Sequence, residues 1–133
     1  MSPSSSIATI LLVDDDPLIC EFIKFSLEKQ NCQVLVAQSG EQALALFQKK
    51  AVDLAVLDVS MPGMDGFELL VELRKLNSVL PVILLTGLKD DKHLFLSLKH
   101  GVNSLLRKPC TVDVLISHVH RLLKAIPQLS QSA

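Results

Sequence analysis

Between Ile7 and Ile126, short runs of nearly pure apolar residues alternate with longer amphipathic stretches, and this alternation limits the possible folds more than any other feature. The apolar runs predict strands at Ala8–Val13, Gln33–Ala37, Leu54–Leu57, Val82–Leu85 and Ser104–Arg107. The first, third and fourth are apolar almost throughout, which a strand requires only when both of its faces are covered, as in a parallel sheet. The second and fifth are shorter or nearer polar residues, as edge strands are.

The amphipathic stretches predict helices. Asp16-Pro17 opens the first with an acidic N-cap and proline in the first turn, with an inner stripe of Ile19, Phe22, Ile23 and Leu27. Ser39 with Gln42 makes a capping box for the second, which turns Leu44 and Phe47 inward, and Asp65 with Glu68 does the same for the third, with Leu69, Leu70, Leu73 and Leu76 inward. A fourth runs from about Asp90 to His100 and stops at Gly101. Thr111 caps a fifth whose inner residues are Leu115, Val119 and Leu122. Five strands alternating with five helices through right-handed crossovers make a doubly wound α/β domain with a five-stranded parallel sheet. Ligands bind such sheets at the carboxyl ends of the strands, where the strand order reverses.

Composition narrows the function. A chain of 133 residues, 49% hydrophobic and 20% charged, makes one globular domain, expected over residues 7–126, with tails at 1–6 and 127–133. A net charge of -1 argues against a nucleic-acid partner. No apolar run approaches the ~20 residues of a membrane span, and the Ser-rich start does not resemble a signal peptide, so the cytoplasm is the expected location. Cys20, Cys32 and Cys110 are odd in number and form no CxxC pair, which fits reduced, buried thiols. His118 and His120 stand two apart, and His93 and His100 two turns apart, so the expectation is solvated helix positions and no metal site.

The strand ends carry the chemistry. The first run ends in Asp14-Asp15-Asp16, the third in Asp58, the fourth in Thr86 and the fifth in Lys108-Pro109. Asp14, Asp15 and Asp58 gathered at one edge would repel, which favours protons or a cation. Mg²⁺ suits such a site, because it prefers oxygen ligands and keeps positions for water and phosphate. Lys108 offers a point charge and Thr86 a hydroxyl donor.

The segments Ile10–Pro17, Leu57–Gly66, Leu84–Gly87 and Leu106–Pro109 together resemble the receiver domains of bacterial two-component response regulators. The resemblance covers residues 7–126 and implies the flavodoxin-like (βα)5 arrangement with strand order 2-1-3-4-5. It implies Asp58 as phosphoacceptor, Asp15 as a direct Mg²⁺ ligand aided by Asp14, the Ser60 carbonyl as a further ligand, Thr86 as a contact to the phosphoryl group and Lys108 as its positive partner. It further implies a cis Lys108–Pro109 bond and a phosphohistidine donor on a sensor kinase or phosphotransfer protein. The implied output is a conformational switch that controls a partner or a self-dimer through the fourth helix, fifth strand and fifth helix. Slow hydrolysis would reset it, tuned by Ser60 and Leu88. The pattern ends near Ile126 with no output domain, so the domain is expected either to dock a partner or to belong to a longer protein.

Two positions depart from the familiar pattern. Leu105 stands where relatives carry Phe or Tyr, which puts the usual aromatic switch in question. The fourth helix is unusually apolar: Leu94 and Leu98 share a core face, with Leu96 opposite as a scattered surface residue or part of a partner surface. Two rival readings differ in chemistry. The Asp14-Asp15-Asp16 run contains the Asp-x-Asp pattern of haloacid dehalogenase-type phosphatases, but Leu18 stands where that motif has Thr or Val, and the chain is short for that fold. A structural receiver-like module that takes no phosphate is the other, and the presence of Asp58, Thr86 and Lys108 together disfavours it. The Asp58–Leu69 stretch lacks the twelfth-position Glu of a calcium loop, and no GxxxxGK[ST] stretch occurs.

Overall fold

The structure, a computed structural model, describes residues 7–87 and 99–126. Its elements are β1 (Ala8–Val13), α1 (Pro17–Glu28), β2 (Cys32–Ala37), α2 (Gly40–Lys49), β3 (Leu54–Asp58), α3 (Gly66–Leu76), β4 (Val82–Thr86), β5 (Ser104–Arg107) and α4 (Val112–Lys124). Here α4 is the fifth helix of the sequence reading. The fourth falls mostly outside the described residues, and with it Leu88, His93, Leu94, Phe95, Leu96 and Leu98.

All strand pairings are parallel, in the order β2-β1-β3-β4-β5. The chain starts in the middle of the sheet, moves to one edge, returns past β1 and continues to the other. The order therefore reverses between β1, which leads into Asp14, and β3, which ends in Asp58.

Alternation along the central strands divides the core in two. Ile10, Leu12, Leu54, Val56, Ile83 and Leu85 face α1 and α4, whose Cys20, Ile23, Leu27, Leu115, Val119 and Leu122 cover them. Leu11, Val13, Ala55, Leu57, Val82 and Leu84 face α2 and α3, covered by Ala43, Phe67, Leu69, Leu70 and Leu73. Each large aliphatic side chain buried this way contributes about 1.5–3 kcal/mol, so both layers are needed to hold the strand ends in place.

The caps follow the sequence reading with one change. Asp16 accepts from the Leu18 and Ile19 amides, Thr111 from that of Val114, and Asp65 and Glu68 form a reciprocal box. Ser39 accepts from the Gln42 amide, but the Gln42 side chain accepts from the Gln38 amide and not from Ser39, so the second box is open.

The helix stripes need correction. In α1 the buried face is Cys20, Ile23 and Leu27, while Ile19 is 39% and Phe22 57% exposed. Helical period permits either face, and the smaller Cys20 fits closely under β1, where its thiol donates to the Asp14 carbonyl at 3.2 Å. In α3 the buried face is Phe67, Leu69, Leu70 and Leu73, while Leu76, the last residue of the helix, is 48% exposed. His118 is half-buried, not solvated, and its Nδ1 lies 2.9 Å from the Ser104 hydroxyl. Cys20 and Cys32 are buried and Cys110 half-buried, with no disulfide among them. Among the described residues no helix is long and apolar enough to cross a membrane.

Candidate functional site

The ladder continues one residue beyond three strand ends. The Asp14 amide donates to the Ala37 carbonyl at 3.1 Å, the Val59 amide to Leu85 at 2.9 Å and the Lys108 amide to Thr86 at 2.7 Å. These bonds keep Asp14 and Lys108, just past β1 and β5, and Asp58, at the end of β3, in strand-like register. Asp14, Asp58 and Thr86 are all buried, at 2%, 3% and 4% exposure.

Carboxylate oxygens of Asp14, Asp15 and Asp58 lie within 4.8 Å of one another, with Asp15 the exposed member. Lys108 reaches in from beyond β5 and places Nζ 2.7 Å from Asp58 Oδ1. This contact is first an ion pair, since Asp58 Oδ1 lacks a well-directed hydrogen bond despite the short approach. Asp14 Oδ1 accepts from the Asp16 amide at 2.9 Å, while buried Asp14 Oδ2 has no hydrogen-bond partner among the described residues.

The electrostatics follow from this packing. Burial pushes the Asp14 carboxyl above its ordinary range, against the Asp16 hydrogen bond, and the negative charge of Asp58 adds to the rise. Burial alone would lower the Lys108 ammonium, but pairing with Asp58 and the fields of Asp14 and Asp15 outweigh it, so its value is raised. Among the described residues three carboxylates thus face one ammonium, and an orphaned buried oxygen points to a missing positive partner. A hard divalent cation fits this all-oxygen donor set, with Asp14 and Asp15 as holders beside Asp58.

The loop from β3 to α3 shapes the remaining side. Ser60 is exposed, two residues past Asp58. The chain turns back through hydrogen bonds from the Met61 and Gly66 amides to the Val59 carbonyl, at 3.2 and 3.0 Å, and Gly63 adopts φ 73°. Gly66 is required by close approach: a Cβ there would stand 2.6 Å from the Asp58 carbonyl oxygen and 2.7 Å from Val59 Cα. The only sequence signal for this is a glycine directly after a helix-capping Asp. The Lys108–Pro109 bond is cis, as the resemblance implied. Leu105 is half-buried against the layer under α2 and α3.

The response regulator receiver domain family matches residues 10–120. The chain is a receiver domain. It is 37% identical over 116 residues to the transcriptional regulatory protein AfsQ1 of Streptomyces coelicolor, covering 87% of this chain and 51% of that protein. It is 38% identical over 120 residues to an uncharacterized 14.6 kDa protein of Leptolyngbya boryana, covering 89% and 92%. Among solved structures, a CheY-like receiver domain protein from Methanospirillum hungatei superposes with a TM-score of 0.86 at 28% identity, covering 95% of this chain and 99% of that one. The receiver domain of Francisella response regulator 1452 superposes at 0.81 with 38% identity, covering 88% and 97%. This receiver domain therefore spans about half of AfsQ1 but nearly all of the Leptolyngbya protein. It is homologous to the phosphoacceptor domains of two-component systems, which leaves the dehalogenase-type reading without support.

The described residues enclose a cavity that sequence reasoning missed. About 590 Å³ of space opens between α1 and the segment after β5, floored by Asp14 and Lys108 and walled by Leu18, Ile19, Phe22, Pro109 and Val112. Leu18 and Phe22 are 75% and 57% exposed at its rim. The signal available in the sequence was an amphipathic helix with more large apolar residues than one buried face requires.

Proposed function

We propose that this receiver domain takes a phosphoryl group on Asp58 in a Mg²⁺-dependent reaction and changes its surface in response. The observation that carries this is the buried Asp58 carboxylate, gathered with Asp14 and Asp15 within 4.8 Å and touched by Lys108 at 2.7 Å. In this reading Asp14, Asp15, Asp58 and the Ser60 carbonyl hold Mg²⁺. The ion, when bound, offsets the negative charge of the carboxylates and of the phosphoryl oxygens.

A carboxylate oxygen of Asp58 attacks the phosphorus of a phosphohistidine on a sensor kinase or phosphotransfer protein. The new P–O bond forms as the P–N bond breaks, and its electron pair stays on the imidazole nitrogen. Lys108 exchanges its contact with the carboxylate for one with a phosphoryl oxygen, and Thr86 supplies its hydroxyl. Water later attacks the phosphorus, breaking the P–O bond to Asp58 and returning the carboxylate and inorganic phosphate. The protein is a regulatory phosphoacceptor that promotes its own slow reset.

The donor docks over the apolar cavity beside α1. Continuity supports this, since Leu18 and Phe22 border the same space that Asp14 and Lys108 floor. The output is a repacking of β5 and its neighbours as Thr86 is drawn toward the phosphoryl group, presented to a protein partner or a second copy through the predicted helix before β5, β5 itself and α4. Leu105 replaces the usual ring in this movement. The reaction is placed in the cytoplasm.

Mass spectrometry of the protein incubated with Mg²⁺ and a small-molecule phosphodonor tests the reading. One added phosphoryl group is expected, absent in Asp58→Asn and absent with chelator. A wild-type protein that gains no mass from small donors or from any kinase defeats it and favours a module that never takes phosphate.

A further inference from the structure

A second glycine stands against the loop that carries Ser60. Gly40 is the first residue of α2 and is buried, and a Cβ there would meet three atoms of Met64: Sδ at 2.6 Å, Cβ at 2.9 Å and Cγ at 2.9 Å. The sulfur could rotate away, because it is the flexible end of a long side chain. Met64 Cβ could not, because its position is fixed by the backbone. A methyl group at Gly40 therefore displaces the loop itself.

The loop has little room to absorb such a displacement. Met61 is buried, the Val59 carbonyl accepts from both Met61 and Gly66 amides, and Asp65 is tied into the cap of α3. On the inner side Gly66 lies against the Asp58 carbonyl, and on the outer side Gly40 lies against Met64. The segment from Asp58 to Gly66 is thus gripped between two glycines, one on α3 and one on α2.

We propose that Gly40 is a positioning residue for the cation site: by letting α2 close onto Met64 it fixes the β3–α3 loop and so the place of the Ser60 carbonyl. This rests on the reading that Ser60 and the carboxylates hold Mg²⁺. Gly40 has no side chain with which to hold an ion and acts through Met64.

The test is Mg²⁺ affinity of the wild-type 133-residue chain, Gly40→Ala and Met64→Ala, with hydrogen exchange of the Met61 and Gly66 amides in metal-free protein. Helix propensity alone favours alanine over glycine, so a purely helical role predicts a more stable variant with unchanged binding. The expected result is at least fivefold weaker Mg²⁺ binding and faster exchange at both amides in Gly40→Ala. Met64→Ala, which removes packing without adding atoms, is expected to weaken binding in the same direction. Unchanged affinity in folded Gly40→Ala, or in Met64→Ala should the first variant not fold, overturns the inference. Wild type that binds no Mg²⁺ overturns instead the cation-site reading beneath it.

Discussion

Lys108 Nζ lies 2.7 Å from Asp58 Oδ1, and this contact places the end of the edge strand β5 against the end of central β3, although β4 lies between them. The pair is asymmetric: the Asp58 side chain is 4% exposed and that of Lys108 35%. Removing the lysine strands a buried carboxylate beside two others. Removing one member of a fully buried pair costs ~3–5 kcal/mol. Solvent reaches this lysine, so Lys108→Met should destabilise the metal-free protein by about 1–2 kcal/mol in urea unfolding. No change in midpoint would mean that the pair contributes nothing to the fold.

Asp14 gives a pH signature of opposite sense. Its folded value is raised, chiefly by burial and further by Asp58. A carboxyl raised on folding contributes its stabilisation fully below the unfolded value and loses it as pH rises through the folded value. At neutral pH the ionised group is therefore a cost to the metal-free fold. Asp14→Asn should raise the urea midpoint at pH 7, with the advantage shrinking toward pH 4. A variant less stable than wild type at pH 7 would contradict this account of the cluster.

Cation binding should offset that cost by mass action. At a hundredfold excess over its Kd, Mg²⁺ should stabilise wild type by about 2.7 kcal/mol. Chelator should reverse the gain, and Asp14→Asn and Asp15→Asn should lose most of it. Equal magnesium-dependent shifts in wild type and both variants would place the ion elsewhere.

Gly66→Ala tests the inner grip on the loop. The added Cβ would meet backbone atoms of Asp58 and Val59, which cannot rotate away. Overpacking of this kind costs ~1–3 kcal/mol. Slower phosphorylation of Asp58 should accompany the loss, because the displaced atoms belong to the proposed acceptor itself. Wild-type stability and rate together would show that the approach is looser than described.

The exposed rim of α1 should separate docking from chemistry. Phe22→Ser and Leu18→Ser remove surface apolar groups, so stability should change by no more than about 0.5 kcal/mol. Uptake of phosphate from a small-molecule donor should be unchanged, while transfer from a phosphohistidine protein should slow by about tenfold, equivalent to a 1.4 kcal/mol loss of binding. Equal rates with both donors would remove α1 from the docking surface.

Much of this was legible in the residues. β1 and β5 were bounded correctly; β2 begins one residue earlier, at Cys32, and β3 and β4 each run one residue further, because a polar residue such as Asp58 or Thr86 can extend a ladder that apolarity no longer marks. The gathering of Asp14, Asp15, Asp58 and Lys108 followed from placing each at a strand end. The face of α1 did not follow. Ile19 and Phe22 fit an apolar stripe as well as Cys20 does, and periodicity cannot rank two adjacent stripes. His118 was read as solvated because its partner, Ser104, sits on a different element, fourteen residues earlier in the chain.

By itself the sequence determined the order of elements, the parallel sheet and the identity of the polar residues at its carboxyl edge, since strand apolarity, caps and glycine stops are local properties. The tertiary structure alone decided which of α1's apolar residues meet the core, that Asp14 Oδ2 finds no donor among the described residues, and that Gly40 and Gly66 hold one loop from two sides. Those depend on distances between segments far apart in the chain, which no local pattern of residues encodes.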